Sequence, residues 1–161
     1  MSDICKTIVW LAAAAVLCGC DGGSSVNYNG KRSPGAALTD RKLWRASGDL
    51  RDAPKAIDGD RATAAVSGES YSTAAITIDL GRVCVFNRVI VEHGPDEHGF
   101  PRRMAVATSL DGKEFTQQTQ VPGTRRVTNA VLITPVLARY VRLQVAMPGA
   151  RPWSVAEVIL Q

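Results

Sequence analysis

Apolar and polar residues alternate along most of this chain, in short runs with a period of two. Residues 76–80 read Ile-Thr-Ile-Asp-Leu, and a similar alternation recurs over 104–110 and 141–145. Such alternation is typical of β-strands that bury one face. No window of eleven or more residues shows the period of an amphipathic helix.

Three further stretches, 86–93, 126–134 and 155–160, are rich in β-branched and apolar residues and also predict strands. Turn residues separate the runs, at Gly81-Arg82, Gly94-Pro95, Asp111-Gly112, Pro122-Gly123, Pro135 and Pro148-Gly149. Asp111-Gly112 is the strongest hairpin signal, because a two-residue type I′ turn needs positive φ at both central residues. About eight short strands predict an all-β chain, folded as an antiparallel β-sandwich.

The first twenty residues have the features of a bacterial lipoprotein signal. Residues 8–17 form an apolar run that is shorter than a membrane-spanning helix. The segment ends in Leu17-Cys18-Gly19-Cys20, which resembles the lipobox, where the signal is removed and the next cysteine is acylated. We therefore expect a signal peptide over 1–19 and lipidation of Cys20. The alternative is an ordinary secretory signal with two incidental cysteines.

A lipidated chain of this kind is expected in the bacterial cell envelope, anchored to a membrane and facing the periplasm. Asp21 resembles the signal that retains some lipoproteins in the inner membrane. The alternative location is the outer membrane. Residues 21–36 are rich in Gly, Ser and Asn, so residues 20–36 predict a flexible tether after the anchor. The globular domain is expected over 37–161.

Composition narrows the functional classes. The 161 residues, 45% of them hydrophobic, suffice for one ordinary domain. The net charge of +4 favours acidic partners such as uronic-acid polymers, lipid headgroups or nucleic acid. However, the arginines are scattered and only 6% of residues are aromatic, so no nucleic-acid-binding stripe is visible. The sequence contains no Gly-x-Ser-x-Gly motif, no phosphate-binding glycine loop and no His-Glu-x-x-His motif, so none of these enzyme signatures is present.

Seven short blocks of sequence follow one another from residue 56 to residue 158. The first two read Ala-Ile-Asp-Gly-Asp-Arg-Ala-Thr and Ile-Thr-Ile-Asp-Leu-Gly, and the blocks lie at 56–63, 76–81, 87–89, 101–103, 109–115, 138–143 and 153–158. In this order they resemble the discoidin family, also called the coagulation factor V/VIII type C domain. The resemblance implies a galactose-binding-like jelly-roll sandwich without catalytic residues. It also implies a ligand bound by loops at one end, most often a sugar in bacterial members.

The chain departs from this family at two places. It has Ala65 where members often have Trp, which removes an aromatic that packs or faces the ligand. It also lacks the terminal disulfide of many animal members. Cys84 is the one cysteine expected to remain after the signal peptide and Cys20, and its apolar surroundings over 83–86 predict a buried small side chain rather than a reactive thiol.

A structural calcium ion is the cofactor that the sequence predicts. Asp58-Gly59-Asp60 and Thr63 offer hard oxygen ligands on a tight turn, the donors that calcium prefers. Because family members commonly hold calcium here, the resemblance implies ligands at Ala56, Asp58, Asp60, Thr63 and Glu157. The alternative is an Asx turn without metal.

The acidic loop 92–98 contains both histidines, His93 and His98. A zinc or copper site is disfavoured there, because Gly94-Pro95 prevents a helical register and no cysteine is nearby. Imidazole and carboxylate groups instead suit sugar hydroxyls, which need both donors and acceptors.

Two functions follow, and they belong to different classes. The first is a non-catalytic, lipid-anchored module that binds carbohydrate or polysaccharide through His93, His98, Arg102, Tyr71 and Trp153. Tyr71 and Trp153 are the loop aromatics suited to a sugar face, with core-edge packing as their alternative role. The second is an assembly lipoprotein that binds an envelope protein and has lost the sugar site. The absence of Trp at residue 65, which is Ala65, favours this second function.

Overall fold

The computed structural model describes residues 37–38, 40–69 and 71–161. The predicted signal peptide, the predicted lipidation site Cys20 and the predicted tether lie outside these residues. None of the helices in the described ranges has the length and apolar character needed to cross a membrane.

Eight strands and one short helix make up the described part of the chain, which confirms the all-β prediction. The strands are β1 (Arg45–Gly48), β2 (Ala65–Val66), β3 (Ala75–Glu92), β4 (Arg103–Ser109), β5 (Thr116–Pro122), β6 (Val127–Met147), β7 (Ser154–Val155) and β8 (Glu157–Leu160). A 3₁₀ helix, Ala53–Ile57, lies between β1 and β2. The strand pairings are antiparallel.

Two long strands, β3 and β6, connect two regions of sheet. Up to Asp79, β3 pairs with β1 and with the part of β6 after Tyr140, and β4 and β5 extend this region. From Arg88 onward, β3 pairs with β8 and with the first part of β6. β2 and β7 form a separate pair. This topology is the predicted jelly-roll sandwich.

One hydrophobic core joins the two regions of sheet. Ile76 and Ile78 from the first region and Val89 and Val91 from the second are all fully buried in it. The burial alternates along β3, as the period of two in the sequence predicts. Cys84 belongs to this core, which confirms its predicted packing role.

Gly81-Arg82 and Pro135 do not end strands, contrary to the prediction. β3 continues through Gly81, and β6 continues through Pro135. The register between β3 and β6 shifts between Asp79 and Cys84 and again between Phe86 and Arg88, so these residues lie at irregularities inside long strands. A bulge and a turn use the same residue types, which is why the sequence pattern did not distinguish them.

The hairpin between β4 and β5 lies where the sequence predicts it, but its turn is different. The connection is longer than two residues, and Gly112, with φ +76°, is its one residue of positive φ. The turn is therefore not type I′. Asp111 Oδ1 instead accepts hydrogen bonds from the Lys113 and Glu114 amides at 2.9 and 3.2 Å. The Lys113 amide above all holds the pKa of Asp111 below its ordinary value.

Candidate functional site

An open depression of about 540 Å³ lies between two loops at the surface. One loop follows β2 and contributes Glu69, Tyr71 and Ser72; the other, 148–152, connects β6 to β7. The lining combines a carboxylate, a phenol, a hydroxyl and the guanidinium of Arg151 with proline rings. Such a surface provides hydrogen-bond donors, acceptors and apolar contact together.

Tyr71 and Gly149 join the two loops. The Gly149 amide donates to the Tyr71 hydroxyl oxygen at 2.7 Å. A Cβ at Gly149 would lie 2.0 Å from the Phe100 carbonyl oxygen, so the loop can approach this closely only because residue 149 is glycine. Burial raises the pKa of Tyr71, so its hydroxyl keeps a proton that it can donate.

The acidic loop that contains the histidines lies beside the depression. Arg151, which lines the depression, forms an ion pair of 3.7 Å with Asp96 of that loop. Asp96 Oδ1 also accepts a hydrogen bond from the His98 amide at 3.1 Å. This exposed ion pair contributes little to stability, and it places a cation at the rim of the depression.

His93 lies in the core, although the sequence placed it among the ligand contacts. Its Nδ1 is 2.9 Å from the Ser154 carbonyl oxygen and its Nε2 is 2.8 Å from Thr128 Oγ1. Because a carbonyl only accepts, Nδ1 carries the proton and Nε2 accepts from Thr128. Burial lowers the pKa of His93, so the ring is neutral at neutral pH. Its ring is fully buried and does not reach a surface ligand.

Trp153 is also fully buried, so the expectation that it stacks on a sugar does not fit the structure. Its backbone amide donates to Ser67 Oγ at 2.8 Å, and its side chain is among the largest in the core. Within the described ranges, Nε1 of Trp153 has no hydrogen-bond partner. The core packing that was the alternative for this residue is its observed role.

Of the five predicted ligand contacts, Tyr71 is the one that lines the depression. His98 and Arg102 are exposed but lie outside its lining. Glu69, Ser72 and Arg151 line it and were not selected from the sequence. Tyr71 and Trp153 were taken from the two loops that form the depression, but the sequence showed no pattern that distinguished their polar neighbours.

The acids of loop 92–98 are held by arginines. Glu92 forms an ion pair with Arg61 at 2.6 Å, and Glu97 accepts hydrogen bonds from Arg126 and Arg125. These two arginines, Arg126 first, hold the pKa of Glu97 below its ordinary value. In the ranges that the structure describes, no three His, Cys, Asp or Glu side chains group together as a metal site.

The predicted calcium turn is closed by its own hydrogen bonds. The Asp60 amide donates to Asp58 Oδ1 at 2.9 Å, and the Thr63 hydroxyl donates to Asp58 Oδ2 at 2.8 Å. The Asp60 amide and then the Thr63 hydroxyl hold the pKa of Asp58 below its ordinary value. These are the contacts of an Asx turn, the alternative that requires no metal.

These residues fit a calcium ion only in part. Thr63 Oγ1 lies 2.8 Å from Asp58 Oδ2 and 3.1 Å from the Asp60 carbonyl oxygen, so three oxygens converge. Glu157, however, accepts from the Gly59 amide on Oε1 and from Arg41 on Oε2, both at 2.5 Å. Calcium takes six to eight oxygens, and the carboxylate expected to link β8 to it already contacts a cation. The full ligand set therefore does not fit calcium as these side chains lie.

Comparison with known protein families identifies the family of this chain. The model of the F5/8 type C domain matches residues 24–158. The protein belongs to the F5/8 type C domain family. The match begins within the segment predicted as a tether and ends inside β8. No curated protein sequence matches this F5/8 type C domain significantly.

Solved structures of similar fold include carbohydrate-binding modules, at low sequence identity. The module CpGH89CBM32-5 from Clostridium perfringens, in complex with GalNAc-β-1,3-galactose, is 18% identical with a TM-score of 0.69, over 78% of this chain and 99% of that one. The family 32 module of NanJ from the same organism, in complex with galactose, is 14% identical with a TM-score of 0.65, over 74% and 94%. A putative chitobiase fragment from Bacteroides thetaiotaomicron is 15% identical with a TM-score of 0.67, over 78% and 92%. At sequence identities this low, the structural similarity establishes the fold alone.

Two strand arginines of this F5/8 type C domain have partners within the fold. Arg88 donates to Gln161 Oε1 at 3.2 Å, and Arg142 donates to Thr77 Oγ1 at 3.2 Å. Ala65, at the position where the family often has Trp, is fully buried in β2. The structure therefore has a small core residue where other members have an aromatic.

Proposed function

We propose that this F5/8 type C domain is a non-catalytic binding module that binds carbohydrate in the depression beside Tyr71. The observation that carries the proposal is the lining itself, in which Glu69, Ser72 and Arg151 lie together with Tyr71. Sugar hydroxyls both donate and accept, and these side chains offer both partners. The carbohydrate complexes of two modules with the same fold support the choice of ligand class.

The expected affinity for a short sugar is weak, about 10⁻⁴ to 10⁻³ M, because sugar hydroxyls exchange water hydrogen bonds for protein ones at small net gain. Tyr71, the one aromatic in the lining, is 6% exposed, so it offers little ring surface for stacking. We therefore propose that the natural ligand is a repetitive polysaccharide that many copies bind together.

Titration calorimetry with galactose and with GalNAc-β-1,3-galactose tests the site. We expect Arg151→Ala to weaken binding at least about tenfold, since a hydrogen bond from a charged group contributes roughly 1.5–3 kcal/mol. Arg102→Ala is the matched control, because it removes an exposed arginine outside the lining. Loss of binding in Arg102→Ala but not in Arg151→Ala would place the site near Arg102 instead of in the depression. No heat with either sugar, or turnover of a sugar, would contradict the proposed function.

A protein partner is the second candidate, and one observation favours it. Val131, Ile133 and Leu137 on β6 and the neighbouring Val83 on β3 are large apolar side chains that face solvent, and Ile133 is fully exposed. Exposed apolar surface of this kind is typical of protein contacts. If Ile133→Ser abolishes cross-linking to an envelope protein in intact cells while sugar binding is absent, this candidate replaces the first.

We also propose that the module is anchored in the cell envelope through lipid on Cys20. Leu17 and Gly19 before this cysteine support the proposal. The anchor would hold many copies at one surface, which is the arrangement that weak binding to a polymer requires.

A further inference from the structure

Arg41 places its guanidinium against the carboxylate of Glu157. Nη2 of Arg41 is 2.5 Å from Oε2 of Glu157 and donates a second bond to the Val158 carbonyl oxygen at 3.1 Å. The guanidinium carbon also lies 5.1 Å from the centroid of the Trp44 ring. Three partners therefore fix this one cation.

The Glu157 side chain is almost completely buried, at 4% exposure, and Arg41 is 25% exposed. A buried carboxylate is costly unless a cation or several hydrogen bonds compensate its charge. In this fold Arg41 provides the cation, and the Gly59 amide provides the hydrogen bond to the other oxygen at 2.5 Å. The charge of Glu157 is thus compensated entirely by groups of the chain.

The same contacts connect three distant parts of the domain. Arg41 precedes β1, Gly59 lies in the turn after the 3₁₀ helix, and Glu157 begins β8. Arg41 and Glu157 are 116 residues apart in sequence. A metal ion bound by the turn and by Glu157 would connect two of these three parts, the turn and β8.

We propose that the Arg41 guanidinium replaces a structural calcium ion in this domain. The guanidinium lies 2.5 Å from Oε2, the Glu157 oxygen that is not bonded to the Gly59 amide of the turn. A calcium ion beside the same oxygen would lie close to this cation, and the repulsion between the two positive charges opposes its binding there. The domain then folds without calcium, and removal of Arg41 opens the position to the ion.

Thermal unfolding of the purified protein tests the proposal first without any substitution. We expect the same Tm in millimolar calcium and in chelator. A Tm that rises with calcium in the wild type would overturn the proposal. This arm does not depend on whether a variant folds.

Substitution of Arg41 is the second arm. We expect Arg41→Met to lower the Tm in chelator by at least about 4 °C, and calcium to raise the Tm of this variant. Arg51→Met, at an exposed arginine, is the matched control and should change the Tm little. An Arg41→Met protein that melts with the control, or that stays insensitive to calcium, would overturn the proposal.

Terbium provides a direct binding readout, because it takes the place of calcium and emits when a nearby tryptophan is excited. Trp44 is close enough to the guanidinium to report an ion that enters there. We expect sensitised emission from Arg41→Met and none above background from the wild type. Emission from the wild type that calcium displaces would contradict the replacement.

Discussion

His93 shows at the scale of one residue how burial redirects a side chain from binding to structure. The ring lies 5.9 Å from that of Phe100, and both nitrogens have partners inside the core. The neutral ring satisfies both contacts, with Nδ1 as donor and Nε2 as acceptor, and burial disfavours the protonated form by lowering the pKa. His93 therefore ties β7 to β6.

The protonation of His93 makes the stability of the fold depend on pH. The unfolded chain protonates this residue near its ordinary pKa of 6.5, whereas burial lowers the pKa in the folded protein. Below about pH 6.5 the unfolded state binds more protons, so the free energy of unfolding falls as the pH falls; above it the contribution of His93 is complete. We expect urea unfolding to show this decline as the pH falls through about 6.5.

The variant His93→Gln keeps a donor and an acceptor but does not titrate. It should lower the free energy of unfolding by about 1–3 kcal/mol at neutral pH and flatten the decline. His98→Gln, at the exposed histidine, is the matched control. Equal declines in the two variants would show that the buried ring is not the source.

Single residues also show which side-chain environments the sequence could predict and which it could not. Cys84 was predicted correctly, because the apolar residues on both sides of it identify its surroundings. His93 continues the alternation of Val89 and Val91 in the predicted strand 86–93, so its burial could have been predicted, whereas Trp153 follows Pro152 outside any alternating run. Loop residues are placed by contacts that form only after the strands have packed.

At the scale of elements, Gly81 allows β3 to continue from one region of sheet into the other. Its φ is +73°, and its amide donates to Asp79 Oδ1 at 2.7 Å. Asp79 also accepts two hydrogen bonds from Arg139, each of 2.9 Å. Arg139 is the main reason that the pKa of Asp79 is lowered. The bend is therefore a fixed feature of the strand.

Substitution of Gly81 tests this description. A Cβ there would lie 2.6 Å from Cβ of Leu43, in a backbone conformation that alanine adopts with strain. We expect Gly81→Ala to lower the free energy of unfolding by more than about 1 kcal/mol, measured by urea denaturation. Gly68→Ala is the control, because a Cβ at residue 68 meets nothing within 4 Å and should change stability by no more than about 0.5 kcal/mol. Equal stability of the two variants would contradict the strained bend.

The element scale explains why the fold was easier to predict than the site. The alternating runs identified β4 and parts of β3 and β6, because burial of one face constrains every second residue. The depression depends on a contact between Tyr71 and Gly149, which are 78 residues apart. No local pattern encodes such an approach. The sequence predicts Gly149 as a turn residue. Its close approach to the Phe100 carbonyl oxygen is known only from the folded structure.

At the scale of the whole molecule, the described domain begins beside its own last strand. The Leu38 amide donates to the Leu160 carbonyl oxygen at 2.8 Å, so the chain enters the domain next to β8. Under the proposed anchoring, the lipid on Cys20 would hold the domain from this side. Residues 21–36 would separate the domain from the membrane.

Lipidation of Cys20 is tested by mass spectrometry of the membrane-extracted protein. We expect a diacylglyceryl group on an N-terminus at residue 20, and Cys20→Ser should release the protein from the membrane. The control is Cys18→Ser, which alters a cysteine of the predicted signal peptide and should leave the anchor intact. A wild-type protein that is soluble and begins at another residue would contradict the anchor.

The central claim, that the depression beside Tyr71 binds carbohydrate, is tested most directly by titrating isotopically labelled protein with galactose and following the backbone amides by NMR. The Gly149 amide, hydrogen-bonded to Tyr71, is the natural reporter. We predict saturable shifts at Gly149, Arg151 and Ser72 with a dissociation constant of about 10⁻⁴ to 10⁻³ M, and little change at the amides of β5. Shifts confined to residues outside the two loops, or no saturable shift with galactose or GalNAc-β-1,3-galactose, would contradict the claim.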